Sequence, residues 1–507
     1  MTNSFNTYAH EYGGRVLPLF LLFLLALFSF KNAGFTAFAM MSAIPLVIIA
    51  AYCAFKWKYT AFWGLILINY FIHFLAKNGY LIGGIPMSLY NEGLELLLIG
   101  IALLEIRKDQ HFGRSLNVML FGITLWGILC ALEVFNDTCG LGINIGGWFS
   151  GFRLLVIQLI YFVLIFSIYV DTPDILTKYL RLWAYLSLFS AFWCWKQQYI
   201  GFTQAEQNWL NSEGAATHLV NGITRYFSTF NDAANYGCNA AASAVAFFLL
   251  ALTSKIKKDK ILFLITGSAV LWGMFASGTR TAIACFFAGL MVYVVLSKSV
   301  KMAVPIILFG LTAFILLVFT NIGQGNSQIR RMRSAFNKND ASANVRDINQ
   351  ATMAKYLRDA PWGIGIGTGS GDVPANNKYV VMSYIAPDSE YIFMWIHTGI
   401  VGVTVFAISM LIMFLGGCYV VLFKLKNKRL VGIGAALCCA FAAIQLGAYL
   451  NQVLYQYPNG LIFFGGLAIV YVLPYLEADW EKYEQEALER QEEKRRLKLE
   501  KKLASRV

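Results

Sequence analysis

The feature that most constrains this 507-residue chain is a succession of long apolar stretches that repeats almost from end to end. About fourteen of them, near 15–30, 34–53, 60–76, 82–105, 116–134, 151–170, 178–195, 233–253, 261–276, 281–297, 302–322, 391–422, 430–450 and 458–476, approach the ~20 residues that cross a bilayer as helix. Within hydrocarbon every backbone N–H and C=O must be satisfied inside the protein, so such segments fold as helices. The expectation is an all-α integral membrane protein with about 12–14 transmembrane helices. Composition agrees, since 58% of residues are hydrophobic and only 14% charged, against ~25% charged in soluble domains.

Charge sets the expected sidedness. The tail 477–507 holds equal numbers of acidic and basic residues, so the net +13 belongs to the preceding 1–476. Lys56/Lys58, Arg107/Lys108/Arg114, Lys255/Lys257/Lys258/Lys260, Lys298/Lys301 and Lys424/Lys426/Lys428/Arg429 fall on one side of the fourteen-span chain. Short basic loops stay in the cytoplasm, which puts both termini there. The opposite face then receives 135–150, 197–232, the turn Ser277-Gly278-Thr279-Arg280 and a large outer loop, 323–387. The tail has the i,i+4 charge spacing of a solvated cytoplasmic helix.

Several classes are excluded. An aromatic content of 15% argues against disorder. The 9 cysteines lie mostly inside apolar runs without a metal-ligand or disulfide spacing. The first apolar stretch lacks a small-x-small cleavage site and reads as a span. No metal, no cofactor and no nucleic-acid partner are expected; the solvent is the lipid bilayer.

Arginine at an outer membrane boundary is costly and tends to mark function. Arg225 closes the loop Asn221-Gly222-Ile223-Thr224-Arg225, Arg280 sits in the short two-helix turn, and Arg330, Arg331, Arg333, Arg346 and Arg358 occupy the long loop. Guanidinium forks bind phosphate oxygens bidentately, so arginines from separate loops suit a diphosphate at the membrane surface. Further on, Gly363, Gly365, Gly367, Gly369 and Gly371 alternate with other residues, as a tight turn or as backbone open to a ligand. Asp388 and Glu390 precede an apolar helix, as macrodipole partners or as a carboxylate base. His397 is expected to be a buried, hydrogen-bonded histidine.

These residues resemble the bacterial O-antigen ligase and polysaccharide polymerase superfamily, multi-span glycosyltransferases of the GT-C type. Arg225-Tyr226-Phe227-Ser228-Thr229-Phe230-Asn231-Asp232 is similar to the family's Arg-x-x-Gly-x-Phe-x-Asn-Pro-Asn element, and Ala276-Ser277-Gly278-Thr279-Arg280 to its Ser-Gly-Ser-Arg turn. Arg346 through Gly369 resembles an arginine-led helix ending in Pro-x-Gly-x-Gly. Asp388-Ser389-Glu390-Tyr391, with Thr398-Gly399-Ile400-Val401-Gly402, resembles a His-Asn-x-Tyr segment running into Thr-Gly-Ile-Val-Gly. Asp388 replaces the histidine, and Asp232 replaces a proline.

The resemblance implies glycan transfer from undecaprenyl pyrophosphate to a hydroxyl acceptor, the lipid A core in a ligase or a growing glycan in a polymerase. It implies diphosphate binding by Arg225, Arg280 and Arg346, with Arg280 also stabilising charge in the reaction. Asp388 or Glu390 would be the base, transfer would be metal-independent and inverting, and the site would face the periplasm of the bacterial inner membrane. A secondary transporter of an anionic solute is the alternative of another class; it would place polar residues at mid-membrane on inverted repeats.

Overall fold

The computed structural model describes residues 56–80, 86–105, 110–220, 222–325, 327–333, 341–369, 371–385 and 387–504, with scattered positions before 56. The expected spans 15–30 and 34–53, and Arg107 and Lys108, lie outside the described residues. From 60–76 onward, a helix stands at the place of every expected span. Among the described residues nine helices are long and apolar enough to cross a membrane, and Arg280–Leu296 and Val304–Leu316 are shorter apolar helices. The protein is a multi-pass, all-α membrane protein. Among the described residues the one strand pairing is a two-residue ladder, Leu219 and Val220 against Thr224 and Ile223.

Three helices form the centre: Ala233–Thr253, Lys428–Leu450 and the first turns after Gly460 are the most buried. Small residues explain how closely they pack, because lipid tails are as apolar as leucine and association relies on van der Waals fit. A Cβ on Gly289 would lie 3.0 Å from the Cys439 carbonyl, and one on Gly447 would touch Cys238 and Cys285 at 3.3 Å. The described cysteines are buried and unbridged, as small hydrophobes should be.

The basic loops gather at one end of the bundle. Lys58 pairs with Glu105 at 2.7 Å, Arg181 with Asp259 at 2.8 Å and Lys255 with Glu484 at 2.8 Å. The backbone amide of Lys426 donates to Glu477 at 2.7 Å. Glu477 and Glu484 sit on the helix Gly465–Ala504, which continues from the last span into the charged tail without interruption.

At the opposite end, 323–387 is partly ordered into helices Ser327–Arg333, Ala341–Leu357 and Val380–Tyr384. A second, smaller core holds part of it: Met353, Leu357, Ile364, Val373 and Met382 pack with Cys139 and with Ile396 of the span Glu390–Lys424.

Candidate functional site

The site begins at the break between Lys257–Ala276 and Arg280–Leu296. Gly278 takes φ +59°, a left-handed conformation that reverses the chain within the turn. Ser277 Oγ donates to the Met274 carbonyl at 2.7 Å and accepts from the Thr279 amide at 3.2 Å, fixing the turn from inside. It rests against Gly237, where a Cβ would meet Ser277 Oγ at 2.4 Å. Any larger residue on that helix would push the turn away.

Arginines from two distant segments reach this turn. Arg225 donates from Nη2 to Thr279 Oγ1 at 3.1 Å and from Nη1 to the Thr217 carbonyl at 2.9 Å. Arg331 donates from Nε to the Gly278 carbonyl at 2.9 Å. Arg280 is the first residue of its helix, whose N-terminus has no side-chain cap and therefore presents the positive end of the macrodipole. Burial pushes Arg225 down to about 10, with the charges of Arg331 and Arg280 adding to the shift. Three cations held around one turn, one of them partly desolvated, make a seat for an anion.

The neighbouring polar network gives Arg225 its place. Thr279 Oγ1 accepts from Arg225 and donates to the Ala233 carbonyl at 2.7 Å, while the Ala233 amide donates to His218 Nε2 at 3.0 Å. An imidazole that accepts at Nε2 carries its proton at Nδ1, which faces the Gly214 carbonyl at 3.1 Å. Burial first, then Arg225 and Lys77, hold His218 down at about 3, so it is neutral. Asp232, which stands where the resembled element has proline, caps the next helix by accepting from the Ala234 and Asn235 amides at 2.7 and 2.9 Å.

The two candidate bases occupy different environments. Glu390 is buried, and its Oε2 accepts the Leu454 amide at 3.1 Å. It thereby holds the segment that contains Asn459, and Asn459 bonds Asn239 and Asn235 at the first turns of Ala233–Thr253. Asp388 is half-buried, just before the helix that begins at Glu390. Arg346 falls on Ala341–Leu357, and its side chain lies outside what the structure describes.

The glycine-rich run is a packing device. The helix Glu390–Lys424 breaks at Gly399, φ +63°, and the carbonyls freed there accept from the run: Ile364 N to Ile396 O and Gly365 N to His397 O, both 2.9 Å. His397 Nδ1 in turn donates to the Gly365 carbonyl at 2.9 Å, so the ring is hydrogen-bonded as expected but half-buried rather than buried. Gly369 N is spent on Asp372 at 2.6 Å. With those amides committed, the run is a turn locked onto a broken helix.

Residues 261–407 match the model of a family described as O-antigen ligase. The chain carries an O-antigen ligase domain. The matched segment holds the 277–280 turn, Arg331, Arg346, the glycine-rich run and both carboxylates, and leaves Arg225 and Asp232 outside it. The O-antigen ligase family is one of glycan-transferring enzymes, ligases or polymerases, acting on lipid-linked glycans. No curated protein matches the chain.

Sequence reasoning singled out Arg225 and Arg280, and these two come together in space. It weighted Arg346 over Arg331; the Arg331 side chain reaches the turn, and that of Arg346 lies outside what the structure describes. His218 and Thr279 carried no expectation; a threonine one residue before the arginine of a short turn was the available signal.

Proposed function

We propose that this protein transfers a glycan from a polyprenyl diphosphate to a hydroxyl acceptor at the membrane surface, with the O-antigen ligase type of transfer favoured over polymerisation. The observation that carries the reading is the convergence of Arg225, Arg280 and Arg331 on the 277–280 turn, at the end of the bundle away from the basic loops. By the positive-inside rule that end faces the periplasm of the inner membrane, and both termini are cytoplasmic.

In this reading the arginines bind the diphosphate and take up the charge that develops as the anomeric C–O bond breaks. Donors fixed in advance where charge appears act without reorganising, which is the main source of such stabilisation. Arg346 is a fourth candidate for the same diphosphate. Asp388 takes the proton of the acceptor hydroxyl as that oxygen attacks opposite the leaving group, inverting the anomeric centre. Glu390 positions the site through the 453–459 segment. The carboxylate, guanidinium and hydroxyl groups suffice for this chemistry without a metal. A secondary transporter would need its polar groups at mid-membrane, whereas these arginines lie at a helix boundary.

The test is transfer from a purified polyprenyl-diphosphate glycan by the protein in nanodiscs, with wild type beside Arg225→Ala, Arg280→Ala and Asp388→Asn. Product lost in all three folded variants supports the assignment, and product length separates one transfer from repeated extension. Wild-type product undiminished in Arg280→Ala would remove the arginine turn from the reaction.

A further inference from the structure

Three of the spans carry polar side chains at a depth where lipid would favour apolar ones. Asn69 stands eight residues before the end of Lys58–Lys77, and Glu95 eight residues after the start of Met87–Glu105, the next helix along the chain. At 1.5 Å per residue both lie ~12 Å inside the same end of the bundle, within the depth of the hydrocarbon. The span Ile145–Tyr169 adds Gln158, directly after the π-helical turn Arg153–Ile157. Single π turns inside helices are frequent at functional sites.

A chain of hydrogen bonds connects these residues. Asn69 Nδ2 donates to Asn91 Oδ1 at 2.8 Å, and Asn91 Nδ2 donates to Glu95 Oε1 at 2.5 Å. Gln158 faces Glu95 from the third span. Asn69, Asn91 and Glu95 are wholly buried, and Gln158 is 5% exposed. Nevertheless, Glu95 Oε2, Asn69 Oδ1 and Gln158 Oε1 accept no hydrogen bond among the described residues. Gln158 Nε2 is likewise without a partner, so the amide is free to present its oxygen to Glu95.

Charge narrows what can satisfy these oxygens. Glu92, about one turn from Glu95 on the same helix, is neutralised by Arg153, whose Nη1 donates to both carboxylate oxygens at 2.8 and 2.7 Å. Among the described residues no lysine, arginine or histidine pairs with Glu95. The cluster thus sets two carboxylates against one guanidinium. A carboxylate buried within the membrane is strongly unfavourable without a compensating charge. A water molecule would bring donors but no charge, and a proton on Oε2 would be given to a single acceptor. One cation answers the charge and all three oxygens together. With one uncompensated carboxylate and two amide oxygens as ligands, the site suits a monovalent ion. Calcium takes six to eight oxygens, commonly from several carboxylates, and no group of three His, Cys, Asp or Glu side chains among the described residues is arranged to hold a metal.

We infer that Glu95, Asn69 and Gln158 bind a monovalent alkali cation that ties the three spans together. Because its ligands are buried inside the protein, the ion is a resident part of the fold rather than a solute in transit. It takes no part in glycan transfer, and the inference is independent of the proposed function.

The experiment is thermal unfolding of the full chain in phosphatidylcholine nanodiscs, followed by tryptophan fluorescence, in chloride salts of sodium, potassium or N-methyl-D-glucamine at equal ionic strength. A ligand that binds only the folded state raises the melting temperature with its concentration, here by about 2 °C per tenfold once the site is filled. The expected result is such a rise with sodium, potassium or both, and none with N-methyl-D-glucamine; the metal that acts names the ion. Glu95→Gln, which keeps the shape and removes the charge, should melt at one temperature in all three salts, and Gln158→Leu should shrink the rise by at least half. Glu486→Gln, on the exposed tail helix, should leave the rise intact. Equal melting temperatures of the wild type in the three salts, or a rise that survives in both Glu95→Gln and Gln158→Leu, would overturn the inference. No glycan or diphosphate enters the measurement, so failure here is distinct from failure of the transfer assay.

Discussion

Arg225 and Thr279, fifty-four positions apart, are joined by a 3.1 Å hydrogen bond, and the same threonine hydroxyl donates at 2.7 Å to the Ala233 carbonyl. One side chain thus aligns a cation, a helix N-terminus and the arginine turn. Thr279→Val keeps the shape and removes both bonds, taking the side-chain acceptor away from Nη2 of the half-buried Arg225 guanidinium at a cost of about 1–3 kcal/mol. Thermal unfolding in detergent should show the loss, transfer should fall with it, and Thr279→Ser should restore most of both.

Arg331 and Arg330 are adjacent but differ in what they touch. Arg331 reaches the Gly278 carbonyl, whereas Arg330 bonds the Gln324 carbonyl within its own loop. Arg331→Ala should lower kcat/KM for the diphosphate donor by about 10- to 100-fold, the worth of about 1.5–3 kcal/mol for a bond to a charged group. Arg330→Ala should change it less than threefold. Equal effects of the two in steady-state kinetics would count against the turn as the anion seat.

His218 is held neutral in the fold at about 3, against an ordinary value near 6.5. Its contribution to stability is complete above pH ~6.5 and is lost as pH falls toward 3, because the unfolded chain takes up a proton that the folded one refuses. The slope should reach about 1.4 kcal/mol per pH unit in that window. Melting curves between pH 4 and 8 would show it, and the slope should flatten in His218→Gln.

Asp388 and Glu390 should separate by the kind of damage they cause. Asp388→Asn is expected to abolish transfer with an unchanged melting temperature. Glu390→Gln keeps an acceptor for the Leu454 amide and should stay folded and active, whereas Glu390→Leu should unfold at lower temperature. Activity retained in Asp388→Asn, measured by product formation, would return the role of base to Glu390.

Gly399 combines φ +63° with a carbonyl so close that an added Cβ would lie 1.9 Å from Pro361 O. Gly399→Ala should therefore destabilise the protein by about 3 kcal/mol or more, through backbone strain and the forced retreat of the glycine-rich run. Size-exclusion profiles and melting temperature would register it, with Gly371→Ala, where no atom lies within 4 Å, as the milder comparison.

Most of the helices were legible because a membrane span is a property of contiguous residues: about 20 apolar positions in a row determine it. The gathering of basic loops at one end followed from the same parity, and contacts such as Lys255–Glu484 bear it out. The site was legible only in part. Arg280 stood out because a short turn away from the basic loops has little reason to carry charge, but nothing local distinguishes Arg331 from Arg330 or Arg346. Glu390 looks like a base or a dipole partner until Leu454, sixty-four residues away, is seen to donate to it. The glycine-rich run looks open to a ligand until the carbonyls released at Gly399 are seen to take its amides.

By itself, then, the sequence determined an all-α membrane protein, the grouping of its basic loops and the presence of arginines in the loops opposite them, since hydropathy and charge are written residue by residue. Only the tertiary structure decided which arginines share a turn, which carboxylate is committed to backbone and which polar side chains gather around Glu95. Those outcomes depend on hydrogen bonds and packing between segments far apart in the chain, and side-chain chemistry at one position does not specify the partner at another.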